Sequence, residues 1–313
     1  MLPLTSIMYH YVRQLPDPHF PLLRGLSLEE FDAQLDYLCR RYTIVAMETV
    51  VDAIEGTADL PPNAAALSFD DGYIDHYEQV FPRLQKRGLS AAFYPPRRAV
   101  TERRLLDVNK IQFILASGAN PGEIANSIID ACGELGSDFV PGSIDSYDYS
   151  HPYDAKEVSF VKLMLGRELP DAIRNDVTDR LFARFVTADE SGFADTLYVS
   201  EKQLGEMVSE GMHVGSHGDA HVWLNKLPLA EQIADIERSL DLLDRVGSSP
   251  EYRTFCYPYG GYNLDTLVAM ERLGFKAAVT ASSRSVAIGN EPRFELPRFD
   301  TNDFPKTAAQ ASM

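Results

Sequence analysis

Ala64-Ala65-Ala66-Leu67-Ser68-Phe69-Asp70-Asp71-Gly72 decides how this chain is read. Ala64–Phe69 has the short, largely apolar character of a buried strand, and it stops abruptly in two carboxylates and a glycine. Beyond Gly72, Ile74, Tyr77, Val80, Phe81 and Leu84 recur at helical spacing up to Gly88. Another strand is expected over Ser90–Tyr94. Strand, sharp turn, helix and strand again make the grammar of parallel strands joined by crossover helices.

The same grammar extends both ways. Thr5–Val12 reads as a first strand, and Ser27 with Glu30 forms a capping box that opens a helix burying Phe31, Leu35 and Leu38. Further on, Ser200 with Gln203 opens a helix ending at Gly211, and Met212–Ser216 is the strand that follows. Leu229, Ile233, Ile236, Leu240 and Leu243 form one helical stripe ending near Gly247. A strand at Arg253–Tyr257, a helix from Asn263 to Gly274, a strand at Phe275–Thr280 and a short one near Phe294–Phe299 complete the pattern. Between about Arg98 and Thr196 strands disappear. Asn120-Pro121 starts a helix, Asp154 is expected to cap a second, and Pro170-Asp171 opens a third. The expected fold class is α/β, a distorted (β/α) barrel carrying a helical insertion. Residues 1–97 and 197–313 supply the barrel and 98–196 the insertion.

Composition narrows the partners. A net charge of −17 argues against nucleic acid or an anionic membrane as the main partner, while leaving room for a small anionic substrate at a local basic patch. Cys39, Cys132 and Cys256 are too few and too scattered for a disulfide framework, so a reducing compartment is the simpler expectation. The opening residues, MLPLTSIMYHYVRQ, lack the basic start and apolar core of a signal peptide, and no apolar run approaches the roughly 20 residues of a membrane span. A cytoplasmic location is expected.

Three short segments carry chemistry, each at the end of an expected strand. Asp70 and Asp71 sit where α/β barrels place their active sites, although alone they also read as a hydrophilic, helix-capping turn. In Ser216-His217-Gly218-Asp219-Ala220-His221, histidines at i and i+4 lie on one face if the segment is a helical turn, and both can bind one metal. In Phe255-Cys256-Tyr257-Pro258-Tyr259-Gly260, a Pro-Tyr-Gly turn can aim the Tyr259 N–H into the site as an oxyanion donor, with an aromatic ring as a wall.

With these segments the chain resembles the polysaccharide deacetylase family, carbohydrate esterases that remove acetyl groups from sugars. The resemblance rests on Ser68–Gly72, Ser216–His221 and Phe255–Gly260, with alike flanks at Gly211–Gly215 and Leu224–Gly247. It implies Asp70 as general base and Asp71, His217 and His221 as ligands of a divalent metal. Two departures stand out. Cys256 occupies the place of the family's usual arginine, and Arg298 on the last expected strand is the candidate to replace it. No Leu-x-His follows Tyr259, so His10 on the first strand is the candidate acid. This is similar to the circularly rearranged branch whose motif histidine comes first; His19 is a weaker alternative.

The expected reaction is metal-dependent removal of an N-acetyl group from an acetamido sugar, most simply a nucleotide- or lipid-linked precursor in surface-polysaccharide (O-antigen or lipopolysaccharide-type) synthesis. Zinc is the first expectation for the metal, with cobalt, nickel or ferrous iron also suited to such ligands. Tyr257, Pro258, Arg97 and Arg98 are the candidate substrate contacts, the arginines standing in a cluster with Arg103 and Arg104 that is able to meet a diphosphate or simply to be solvated. The insertion is expected either to narrow the barrel mouth or to join two copies of the chain. Two other readings stay open: a non-sugar amide hydrolase on the same barrel, and an inactive glycan-binding module.

Overall fold

The computed structural model describes residues 3–135, 139, 141–147, 154–287, 292–307 and 309–310. They fall into two compact units. One comprises Met1–Arg13, Gly25–Arg103 and Asp195–Met313; the other comprises Gln14–Arg24 and Arg104–Ala194.

In the first unit the Pro3–Tyr9 strand pairs in parallel with Ala64–Asp70, from Leu4 opposite Ala64 to Tyr9 opposite Phe69. Ala64–Asp70 pairs with Ala92–Tyr94, and that strand pairs with His213–Val214. A single parallel bridge, Ser216 to Phe255, leads on to Thr254–Cys256, which pairs with Ala277–Val279. A second bridge, Val279 to Leu296, reaches the last segment, and Phe299 there lies beside Ile7 of the first strand. Counting the two bridges, the parallel pairings return to where they began. The ring is distorted because several strands shrink to two or three residues, and because Thr43–Ile44 lies beside the start of Ala64–Asp70.

Side chains alternate along a strand. Leu67 and Phe69 therefore join the outer core with Phe31, Leu35, Phe93 and Leu242. Ala64 and Ala66 point the other way, into a layer with Leu4, Ala92, Tyr94, Cys256, Val279 and Leu296. That phase also turns Ser68 and Asp70 inward. Gly215 leaves no room for a side chain: a Cβ there would lie 2.4 Å from the Tyr94 ring and 2.8 Å from the Thr254 carbonyl oxygen.

Ser27/Glu30 and Ser200/Gln203 are complete capping boxes at the starts of the Leu28–Arg41 and Glu201–Ser209 helices. Several local details differ from the sequence reading. The first strand ends at Tyr9, and Val12–Arg13 pairs separately with Leu26–Ser27. The helix after Gly72 passes through a π-helical stretch at His76–Val80 before Phe81–Arg87. The Lys156–Leu163 helix has Ala155 at its cap position, while Asp154 instead pairs with Arg24 and Lys162. The second unit is helical, built on Asp107–Ala116, Pro121–Glu134, Lys156–Leu163 and Asp171–Phe185.

Candidate active site

The carboxyl ends of the strands gather the chemistry, as α/β barrels generally do. The strand phase points Asp70 into the ring, where it is 2 % exposed. Arg298, equally buried, meets it edge on: one guanidinium nitrogen donates to Asp70 Oδ1 and the other to Oδ2, both at 2.8 Å. The same guanidinium donates to Ser68 Oγ at 3.0 Å and, through Nε, to the Thr280 carbonyl at 3.0 Å. Cys256 Sγ lies 3.1 Å from it. Burial alone pushes the Asp70 carboxyl up, but the charge and hydrogen bonds of Arg298 outweigh this and hold it below the usual carboxylate range. Asp70 is an ionised, immobilised carboxylate.

Asp71 follows the strand end with φ of 72°, a left-handed conformation that swings its side chain away from Asp70. His217 Nε2 lies 3.5 Å from Asp71 Oδ1, and His221 Nε2 lies 3.4 Å from the same oxygen. Ligands held about 2.1 Å from a tetrahedral ion stand about 3.4 Å apart, so this spacing suits a divalent metal. Two of the three outer atoms are settled as metal ligands require, whereas His221 Nδ1 is buried with no hydrogen-bond partner among the described residues. His217 Nδ1 donates to the Cys256 carbonyl at 2.7 Å, leaving Nε2 to face Asp71, and the Tyr73 hydroxyl donates to Asp71 Oδ2 at 2.6 Å. Burial and neighbouring His217 push His221 down to about 3, keeping it neutral. Burial raises the Asp71 carboxyl, yet its histidine neighbours bring it far below the usual range. A second grouping, Asp70, His217 and Cys256, is also compact. It fits a metal poorly, because Arg298 already occupies both Asp70 oxygens and His217 Nδ1 is committed to a carbonyl.

The segment holding the histidines is a loop and not the helical turn expected from the i, i+4 spacing. Gly218 and His221 take φ of 75° and 54°, and the intervening N–H groups bond to side chains rather than back along the chain. His213 continues the four-residue spacing but belongs elsewhere: its ring nitrogens meet Glu48 and Thr254 Oγ1, each at 2.7 Å.

His10 is exposed at the end of the first strand, near enough that its charge lowers the Asp70 and Asp71 carboxyls. Its carbonyl oxygen lies 2.9 Å from Nε2 of buried His76, in the π-helical stretch, and burial pushes His76 down to about 4. Tyr259, at φ of 57°, turns its ring outward, edge-on to His221 at 4.6 Å and stacked on Trp223 at 4.7 Å. Tyr257 faces inward, its hydroxyl donating to the Phe294 carbonyl, so the aromatic wall of this turn is Tyr259 with Trp223; Pro258 is buried beneath. Arg97 is engaged by Asp219, Glu102 and Thr101, and half-exposed Arg98 lies 3.6 Å from Glu102. Trp223, Tyr73 and His76 escape the sequence reading. The one available signal was that Trp223 is the single tryptophan of the chain.

The model of the polysaccharide deacetylase family matches residues 176–278, which include both loop histidines and the Tyr257–Gly260 turn. YxkH of Bacillus subtilis (strain 168), named for polysaccharide deacetylation, is 32 % identical over 83 residues, 26 % of this chain and 29 % of the relative. The match thus spans well under half of that relative. Among solved structures, the Streptococcus pyogenes deacetylase PplD in complex with acetate superposes with a TM-score of 0.58 at 19 % identity, over 96 % of this chain and 92 % of that one. IcaB from Ammonifex degensii gives 0.57 at 21 % identity, over 100 % and 98 %. The de-N-acetylase from Aggregatibacter actinomycetemcomitans gives 0.56 at 18 %, over 99 % of each chain. The likenesses to these solved structures show the α/β fold, and residues 176–278 are similar to the polysaccharide deacetylase family.

Proposed function

We propose that this protein is a metal-dependent hydrolase that removes an N-acetyl group from an acetamido sugar. The observation that carries the reading is the side-by-side pair of carboxylates. Asp70 is fixed and charged by Arg298, and Asp71 converges with His217 and His221 on one small volume. Two proteins of the same fold, a de-N-acetylase and a deacetylase holding acetate, point the same way.

Asp71, His217 and His221 would hold a divalent ion, zinc in the first instance, which when bound supplies Lewis-acid polarisation of a carbonyl oxygen. Asp70, ionised at neutral pH, accepts a proton from the attacking water as the water oxygen bonds to the acetyl carbon. The Tyr259 N–H is the candidate donor to the developing oxyanion. As the C–N bond breaks, the amine nitrogen takes its electron pair and a proton from His10, exposed at the mouth and anchored through its carbonyl by His76. The products are acetate and a free amino sugar. The Trp223–Tyr259 stack offers a flat apolar face for a sugar ring, and Arg98 is the more available of the two candidate arginines for a phosphate-bearing precursor.

Acetate release from N-acetylglucosamine, its nucleotide-diphosphate form, a lipid-diphosphate form and a short polymer, each with and without added zinc, tests the reading. Zinc-dependent acetate release from one or more of these is expected. No release from any of them at any metal concentration would overturn it.

A further inference from the structure

The three residues between the two histidines do not bond back along the chain as in a helical turn, and a residue outside the motif receives two of their N–H groups. Asp235, 3 % exposed on the Leu229–Val246 helix, points its carboxylate into the loop. Oδ2 accepts the Asp219 N–H at 3.0 Å and Oδ1 accepts the Ala220 N–H at 3.1 Å, while the Gly218 N–H goes to Ser216 Oγ at 3.1 Å. The fit is close. A Cβ on Gly218 would lie 2.7 Å from Asp235 Oδ2, so the carboxylate sits where a side chain would otherwise be. The far side of the loop is held too. Arg97 and Arg98 donate their backbone N–H groups to the Gly218 and Asp219 carbonyls, both at 3.0 Å. The Asp219 side chain is gripped by Arg97 at 2.6 Å and Arg238 at 2.8 Å. Left to itself, a loop with His221 at φ of 54° would relax, because non-glycine residues adopt left-handed backbone only when their surroundings impose it.

We propose that Asp235 is a positioning residue for the metal centre: its carboxylate holds the His217–His221 loop in the one conformation that brings both Nε2 atoms to Asp71. It touches neither metal nor substrate, and it acts through two backbone N–H groups. The inference rests on the proposed metal-dependent reading. Removing partners that orient ligands typically weakens metal binding about 10- to 100-fold.

The test is a zinc titration against a chromogenic chelator for the full-length chain and for Asp235→Asn, Asp235→Ala, Asp71→Ala and Asp241→Ala. The last variant changes an exposed carboxylate on the same helix as a control. Asp235→Asn keeps the shape but turns an amide N–H against a backbone N–H. Zinc affinity should fall 10- to 100-fold in both Asp235 variants and stay level in Asp241→Ala. With excess zinc, kcat should recover while KM for the sugar is unchanged. Zinc binding within twofold of the unaltered chain in folded Asp235→Asn, alongside loss in Asp71→Ala, overturns the role of Asp235 and leaves the metal reading standing. Asp235-dependent zinc binding with no acetate release upholds the role and overturns the proposed reaction. If the variants fail to fold, hydrogen exchange in the unaltered chain decides: protected amides at Asp219 and Ala220 support the clamp, and free exchange there refutes it.

Discussion

Replacing Arg298 with methionine, which keeps an unbranched apolar stem in the same space, should produce a stability loss whose size depends on pH. Arg298 and Asp70 are each 2 % exposed and share two 2.8 Å bonds. Removing one partner of such a pair costs about 3–5 kcal/mol if the other stays charged. The variant has a cheaper route, which is to protonate Asp70; this costs about 1.4 kcal/mol for every pH unit above the unfolded carboxyl's value near 3.9. The signs follow from the two states. In the unaltered protein the Asp70 pKa is depressed, so its contribution is present above the unfolded value near 3.9 and is lost as pH falls through the folded value. In the variant, burial without the guanidinium raises it, so stability declines as pH rises from about 4 toward the raised value. The deficit of Arg298→Met should therefore widen by about 2–4 kcal/mol between pH 5 and pH 8, on top of a pH-independent loss of the Ser68 and Thr280 bonds. Urea unfolding at both pH values, repeated in an Asp70→Asn background, measures this directly. In that background the widening should vanish. A deficit that is flat with pH, or one that still widens without the Asp70 charge, would falsify the reasoning.

Other expectations follow from single contacts. Zinc at 100 times its dissociation constant should raise unfolding stability by about 2.7 kcal/mol, an increment abolished by a chelator and absent from Asp71→Ala in thermal melts. Asp70→Asn should still take up zinc at near-stoichiometric levels by metal analysis while turnover drops at least about 100-fold. Because burial holds His76 near 4 against 6.5 when unfolded, the unfolded chain binds the extra proton between those values. Stability should fall by about 2 kcal/mol from pH 7 to pH 5 on its account, a slope missing from His76→Gln in paired denaturation curves. Gly215→Ala, whose Cβ meets the Thr254 carbonyl oxygen at 2.8 Å, should cost about 3 kcal/mol and lower the melting temperature sharply.

What the sequence made legible was local. The capping boxes at Ser27 and Ser200 and the stripe ending at Gly247 are decided within a turn or two of chain, so reading them in order is enough. Ser68–Gly72, Ser216–His221 and Phe255–Gly260 each stand at a strand end, so recognising the strands already brought Asp71, His217 and His221 to one face. The loop conformation at 217–221 was misread because spacing reports only which residues share a helical face if a helix forms. Here Asp235, 15 and 16 residues away, takes the N–H groups a helix would use. His76 and Tyr73 look like ordinary aromatic positions of a helix start. Their partners, the His10 carbonyl and Asp71 Oδ2, exist only once the strand ends are assembled. Trp223 meets Tyr259 across two loops, and no periodic pattern announces such a stack.

The ring closes through its final segment, and that segment brings Arg298 to a carboxylate 228 residues earlier in the chain. During synthesis at about 5–20 residues per second, Asp70 leaves the ribosome roughly ten to fifty seconds before the guanidinium that stabilises its charge. Until that moment the Asp70 carboxylate is without its guanidinium partner. On the proposed reading, turnover and completion of the ring would share one ion pair, and a copy truncated before Arg298 should release no acetate.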